Sequence, residues 1–285
     1  MALVLDRLPK LFVDDLYLVF GGRFAGDAAR SAGLAPALAD PLVGAYRATQ
    51  LYSFLPYQLL ISVTFILFPL LAAAHRAGDR NAVARFVTTG VRIALLVAGL
   101  FVSVTSGLSG PLLRLVYSPE AALLGARPMQ VLTLGFGAFA ILGVLTAVLS
   151  SLGRERASAT VIASAFALVV VLCFARARGA PFGEEILWQT ALSTATGLVL
   201  ATGSAALLVF RTTGAVVAPL TVGRVALCLA TAILVARSLP QASRIATLAE
   251  CALVAALYLG LLVVTRELGR GDLDMVRSVV MRRRQ

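Results

Sequence analysis

Tyr46, Gln50, Ser53 and Tyr57 stand at spacings of four, three and four within the stretch 44–61, which sets them on one face of a helix. A polar face inside an apolar helix is costly unless it meets a bundle interior or a water-filled cavity. Two phenols, an amide and a hydroxyl in such a cavity suit sugars, phosphates or lipid head groups. The same groups can equally form hydrogen bonds between helices, with the tyrosines at a membrane interface. Arg47 and Gln58 border the stripe, and Pro56 and Pro69 are expected to kink or end the helix. Two further charged features lie in apolar surroundings. Asp14 and Asp15 could pair with Arg47 across neighbouring helices, which lowers the cost of burying either charge. Arg92, one or two turns inside its helix, either snorkels to the interface or presents a cation to an anionic pyrophosphate.

Signatures of catalysis are scarce. His75 is the one histidine, and its place beside Arg76 at a helix end reads as solvated surface. The sequence contains no Gly-rich phosphate loop, HExxH or GxSxG. Glu184 and Glu185 are adjacent, so on a helix they point in different directions and do not form an acid/base pair. Cys173, Cys228 and Cys251 match neither a metal motif nor a disulfide framework, and read as small buried side chains. A non-enzymatic protein without cofactor or metal is expected.

The elements that position these residues are long apolar runs, approximately 51–74, 93–113, 129–151, 158–175, 186–210, 215–236 and 245–265. Each is about the 20 residues that a helix needs to cross a bilayer. The chain is 59% hydrophobic, with mean hydropathy +0.91. A weaker eighth run, approximately 2–20, is broken by Asp6, Arg7, Lys10, Asp14 and Asp15, and no small-residue cleavage site marks it as a secretory signal. Strand-like alternation is missing, which argues against an outer-membrane barrel. Lipid requires backbone groups to be satisfied within each segment, so the runs are expected to be helices. The net charge of +11 sits mostly on single arginines at run ends. Alternate connectors collect sixteen basic residues on one side and eight on the other, with Arg47 counted to neither. The positive-inside rule then puts the C-terminus in the cytoplasm, and the basic tail acts as a topology anchor beside anionic lipid rather than a nucleic-acid site.

Three short motifs give a resemblance. Gly44-Ala45-Tyr46-Arg47-Ala48, a helix closing on Phe68-Pro69-Leu70-Leu71, and Gly78-Asp79 within the His75–Arg85 connector are similar to the multidrug/oligosaccharidyl-lipid/polysaccharide exporter superfamily. The chain resembles in particular the C-terminal half of polysaccharide-biosynthesis flippases of the O-antigen and lipid-linked oligosaccharide type. Leu132–Ser151 followed by Leu152-Gly153-Arg154 fits the next hairpin, and Val13-Asp14-Asp15 fits an acidic position in the helix that opens the second lobe. The likeness runs through about Arg178 and thins in the last three helices.

The resemblance implies an all-α, polytopic membrane helix bundle of about eight transmembrane helices, matching the second lobe plus two extra helices of a two-lobed flippase. The expected layout is an N-terminal partly polar transmembrane helix and external connector (1–43), flippase-like helices (44–178), further transmembrane helices (179–265) and a basic cytoplasmic tail (266–285). The implied function is movement of a lipid-linked oligosaccharide or polysaccharide precursor across the bacterial inner membrane, by alternating access with ion coupling. Arg47, Arg92, Tyr46, Gln50 and Tyr57 would then meet the substrate, and Asp14 and Asp15 would serve ion coupling or charge pairing. Since alternating access rocks one repeat against another, a missing N-terminal lobe or a second copy of the chain is the expected protein partner, beside membrane lipid and the lipid-linked glycan. Two other readings stay open: a non-transporting scaffold or truncated remnant in polysaccharide assembly, and a cation-coupled multidrug exporter.

Overall fold

The computed structural model describes residues 25–35, 39–177, 180–240 and 244–268. The secondary structure of these residues is helical throughout, with α1 at Ala25–Ser31, α2 at Ala39–Ser53, α3 at Leu55–Arg76 and α4 at Arg80–Gly107. The short α5 spans Ser109–Val116, followed by α6 at Pro119–Ser151, α7 at Glu155–Ala177, α8 at Glu184–Thr213, α9 at Pro219–Ser238 and α10 at Arg244–Val264. Among the described residues, seven segments are long and apolar enough to cross a membrane, with α2 and α3 counted as one 38-residue span. This is a multi-pass membrane protein built as a helical bundle. The weak first run lies outside the described residues.

Several helices reach beyond their apolar runs, because polar ends continue the backbone hydrogen bonding past the hydrocarbon boundary, and the run 93–113 is divided between α4 and α5. The run beginning near residue 93, for example, belongs to a helix that starts at Arg80, where Asp79 accepts a hydrogen bond from the Ala82 N–H at 2.9 Å. Gly78, at φ 71°, ends α3 just before that cap. The Asp79 N–H reaches the Ala74 carbonyl at 3.1 Å and the Gly78 N–H reaches His75 at 3.1 Å, a Schellman closure. Gly153 at φ 74° ends α6 in the same way, with Arg154 N–H to Leu149 at 2.9 Å.

The bundle is organised around α6, whose apolar stretch is 72% buried, against 17% for the α2–α3 span. α2, α3, α4, α5, α7 and α8 all pack on α6, whereas α9 and α10 pack chiefly on α4 and on each other. Small residues allow close approach: a Cβ on Gly135 of α6 would stand 2.5 Å from the Ala195 Cα of α8. Membrane helices associate through such small-residue contacts because lipid supplies little hydrophobic drive between them. A second apolar cluster joins α9 and α10 to α4, with Tyr258 fully buried and its hydroxyl donating to the Leu96 carbonyl at 3.3 Å.

Candidate functional site

The polar stripe lies along a kinked span. α2 passes into α3 through Phe54, at φ −81° and ψ −11°. The Phe54 N–H still donates to the Gln50 carbonyl at 2.9 Å, and the Tyr57 and Gln58 N–H groups both reach back to the Phe54 carbonyl. Pro56, two residues on, has no N–H to donate to the Tyr52 carbonyl, which is a sufficient cause for the break.

Tyr46, Thr49, Gln50 and Ser53 are buried, Tyr57 is half-buried, and Arg47 and Gln58 are exposed on the other flank. Part of the stripe is interhelical glue. Thr133 of α6 donates to the Met129 carbonyl at 2.6 Å. Its single hydroxyl proton is thereby engaged, so Ser53 is the donor in the 3.2 Å contact between their hydroxyls. Thr49 turns onto its own helix, donating to the Tyr46 carbonyl at 2.6 Å.

Two buried members of the stripe, Tyr46 and Gln50, are unsatisfied. Tyr46 points its hydroxyl toward Cys173 and Thr194, on α7 and α8, without a hydrogen bond of ordinary geometry. Gln50 has neither amide atom bonded, although the residue is 1% exposed. A buried polar group left unpaired costs about 1–3 kcal/mol, so three such atoms on one face mark where water or a polar ligand is needed. Below them, Phe54 and Tyr57 pack with Phe136 and Phe139 of α6. The Tyr57–Phe139 rings stack at 4.8 Å and the Phe54–Phe136 rings meet edge-on at 5.6 Å.

The structure brings Tyr46, Gln50 and Tyr57 together along one span and places Arg47 beside them on the exposed flank. Arg92 is elsewhere. Its near neighbour Gly90 packs against Leu67, which lies roughly 25 Å along the span from Gln50 at 1.5 Å per residue. Arg92 donates to the backbone carbonyl of Glu267, just beyond α10. Asp14 and Asp15 lie outside the described residues. Among the described residues no cluster of three or more His, Cys, Asp or Glu could hold a metal ion.

Three features escaped sequence reasoning. Glu250 is buried on the inner face of α10, with Thr247, Val254, Tyr258 and Leu262, and its Oε2 has no hydrogen-bond partner. One acidic residue inside the run 245–265 was the available signal, since intramembrane charge is rarely idle. Glu267 forms an ion pair with Arg224, which pattern alone does not reveal. At the opposite end of the bundle, Arg127 of α6 lies 4.4 Å from the ring centroid of Trp188 and 3.7 Å from Glu185, both on α8.

A broken span with a partly unsatisfied polar face, set in a bundle around one central helix, defines a polytopic helical membrane protein. The bundle is similar to the solved structure of lipid II flippase MurJ in its inward closed conformation, with TM-score 0.64 and 14% sequence identity. The match covers 80% of this chain and 48% of that one, so this chain spans about half the length of that structure. No family model and no curated protein matches the sequence.

Proposed function

We propose that this chain is a transporter component of flippase type that moves a lipid-linked glycan precursor across the inner membrane, together with a first lobe or a second copy of itself. The observation that carries the reading is the α2–α3 span: its Tyr46 hydroxyl and Gln50 amide are buried without hydrogen-bond partners just before a mid-span kink. Interrupted transmembrane helices are where transporters build substrate sites, and the fold's likeness to a lipid II flippase supports the same class of cargo. Tyr46, Gln50 and Tyr57 are assigned to head-group hydroxyls. Arg47 is assigned to charge beside them, with Asp14 and Asp15 as its balance or as coupling groups. Arg92 is assigned to phosphate at the arginine-rich end, taken as cytoplasmic from the charge bias.

Binding of a fluorescent polyprenyl-pyrophosphate disaccharide to the protein in nanodiscs tests this. Gln50→Leu and Arg47→Ala should each weaken binding about tenfold, equivalent to 1.4 kcal/mol. Equal affinity for the labelled lipid and for the matching polyprenol without its pyrophosphoglycan overturns the reading.

A further inference from the structure

At the arginine-rich end, three helices converge on one residue. Arg224 of α9 donates through Nη1 to Glu267 Oε1 at 3.1 Å, and Arg92 of α4 donates through Nη2 to the Glu267 backbone carbonyl. The Glu267 side chain is 5% exposed, while that of Arg224 remains 42% exposed. Glu267 thus divides itself, giving a carboxylate to one arginine and a carbonyl to the other.

The turn that delivers Glu267 is held at a cost. The Glu267 N–H donates to the Leu262 carbonyl at 2.9 Å and the Arg266 N–H to Val263 at 3.0 Å. This is the closure that also ends α3 and α6. There the left-handed residue is Gly78 or Gly153, but here it is Arg266, at φ 59°. A side chain in that region is strained, so any ligand that releases the turn recovers part of the penalty.

We propose that Arg92 and Arg224 form a binding site for a phosphate group, and that Glu267 occupies the site as a built-in competitor. Two guanidinium forks suit the several oxygens of a phosphate. Arg224 sits in the second turn of α9 and Glu267 just beyond α10, while Arg92 stands more than three turns into α4, immediately before its apolar run, the level at which lipid phosphates meet basic residues. A phosphate entering there displaces Glu267, lets Arg266 relax and frees the end of α10 from α4 and α9. The inference rests on the transporter reading in giving Arg92 to a phosphate, and it adds Arg224 as partner and Glu267 as the regulating group.

The test uses the full chain in phosphatidylcholine nanodiscs, with two probes: phosphatidic acid in the disc and inorganic pyrophosphate in the buffer. Glu267→Gln is expected to tighten binding of phosphatidic acid about tenfold, and adding Arg224→Gln to remove the gain. In the wild type, amide hydrogen exchange at Arg266 and Glu267 should speed up when phosphatidic acid is present. A response to both probes assigns the site to phosphate in general, and a response to phosphatidic acid alone assigns it to a lipid head group. Unchanged affinity of Glu267→Gln for both probes overturns the proposal, as does wild-type exchange at the turn that neither probe alters. Such a failure leaves glycan-lipid binding at Gln50 and Arg47 untouched, so the two readings fail separately.

Discussion

Gly135 and Ala195 bring α6 and α8 into backbone contact: a Cβ on the glycine would lie 2.5 Å from the alanine Cα and 3.3 Å from its N. The atoms it would meet are main chain, so no rotamer change can make room. Gly135→Val should therefore lower stability by about 1–3 kcal/mol or more, the range for overpacking. Gly203 of α8, with nothing within 4 Å of its Cβ position, is the control. Gly203→Ala should be neutral or slightly stabilising. Thermal unfolding in detergent compares the two.

The Ser53–Thr133 contact ties the kinked span to the central helix. A double-mutant cycle with Ser53→Ala and Thr133→Val should give a coupling of about 0.6 kcal/mol, the usual size for such bonds in membrane proteins. Unfolding of the four proteins in mixed micelles reads it. A coupling of zero would mean that the hydroxyls are satisfied independently.

Gln50 offers a sharper contrast between folding and binding. Gln50→Met conserves volume and removes two unpaired polar atoms, which is expected to raise stability by about 1–3 kcal/mol while weakening capture of the labelled glycan lipid. A loss of stability would instead show that ordered water satisfies the amide.

Much of this architecture is legible from residue order. The seven long runs are spans because length and hydropathy are local quantities, and Gly78-Asp79 and Gly153 read as helix breaks because a left-handed turn and an N-cap depend on the residues that form them. The stripe from Tyr46 to Tyr57 follows from helical spacing. Which of its members would be satisfied does not, since Ser53 depends on a threonine 80 residues away. Arg92 and Glu267 meet across 175 residues for the same reason. The polar starts of α4 and α6 were hidden because they lie outside the apolar runs, and the break before the short α5 because the run 93–113 stays apolar across it.

Trp188 is the single tryptophan of the chain, so intrinsic fluorescence reports on its contact with Arg127. Arg127→Ala should change the emission of the folded protein and cost about 0.5–1 kcal/mol, as for a partly exposed cation–π pair. Emission identical to wild type would place the guanidinium away from the ring in solution.

Among the described residues, Arg266 is the non-glycine case of a left-handed turn that ends a helix. Arg266→Gly should raise the unfolding midpoint by an amount corresponding to about 1 kcal/mol, whereas Gly78→Ala and Gly153→Ala should lower it by a similar amount. Equal effects of all three substitutions would remove the strain attributed to Arg266.

The packing of α9 and α10 mainly on α4 gives the molecule two mechanical parts. Around α6 the helices are interlocked on several sides, and sliding any one of them means repacking the others. The last two helices resemble a gangplank resting mainly on one rail, with lesser footings on α5 and, through Arg237 and Gln130, on α6. Pulled from its two ends, the chain should give way first at that rail, leaving a smaller bundle that still surrounds its own axle.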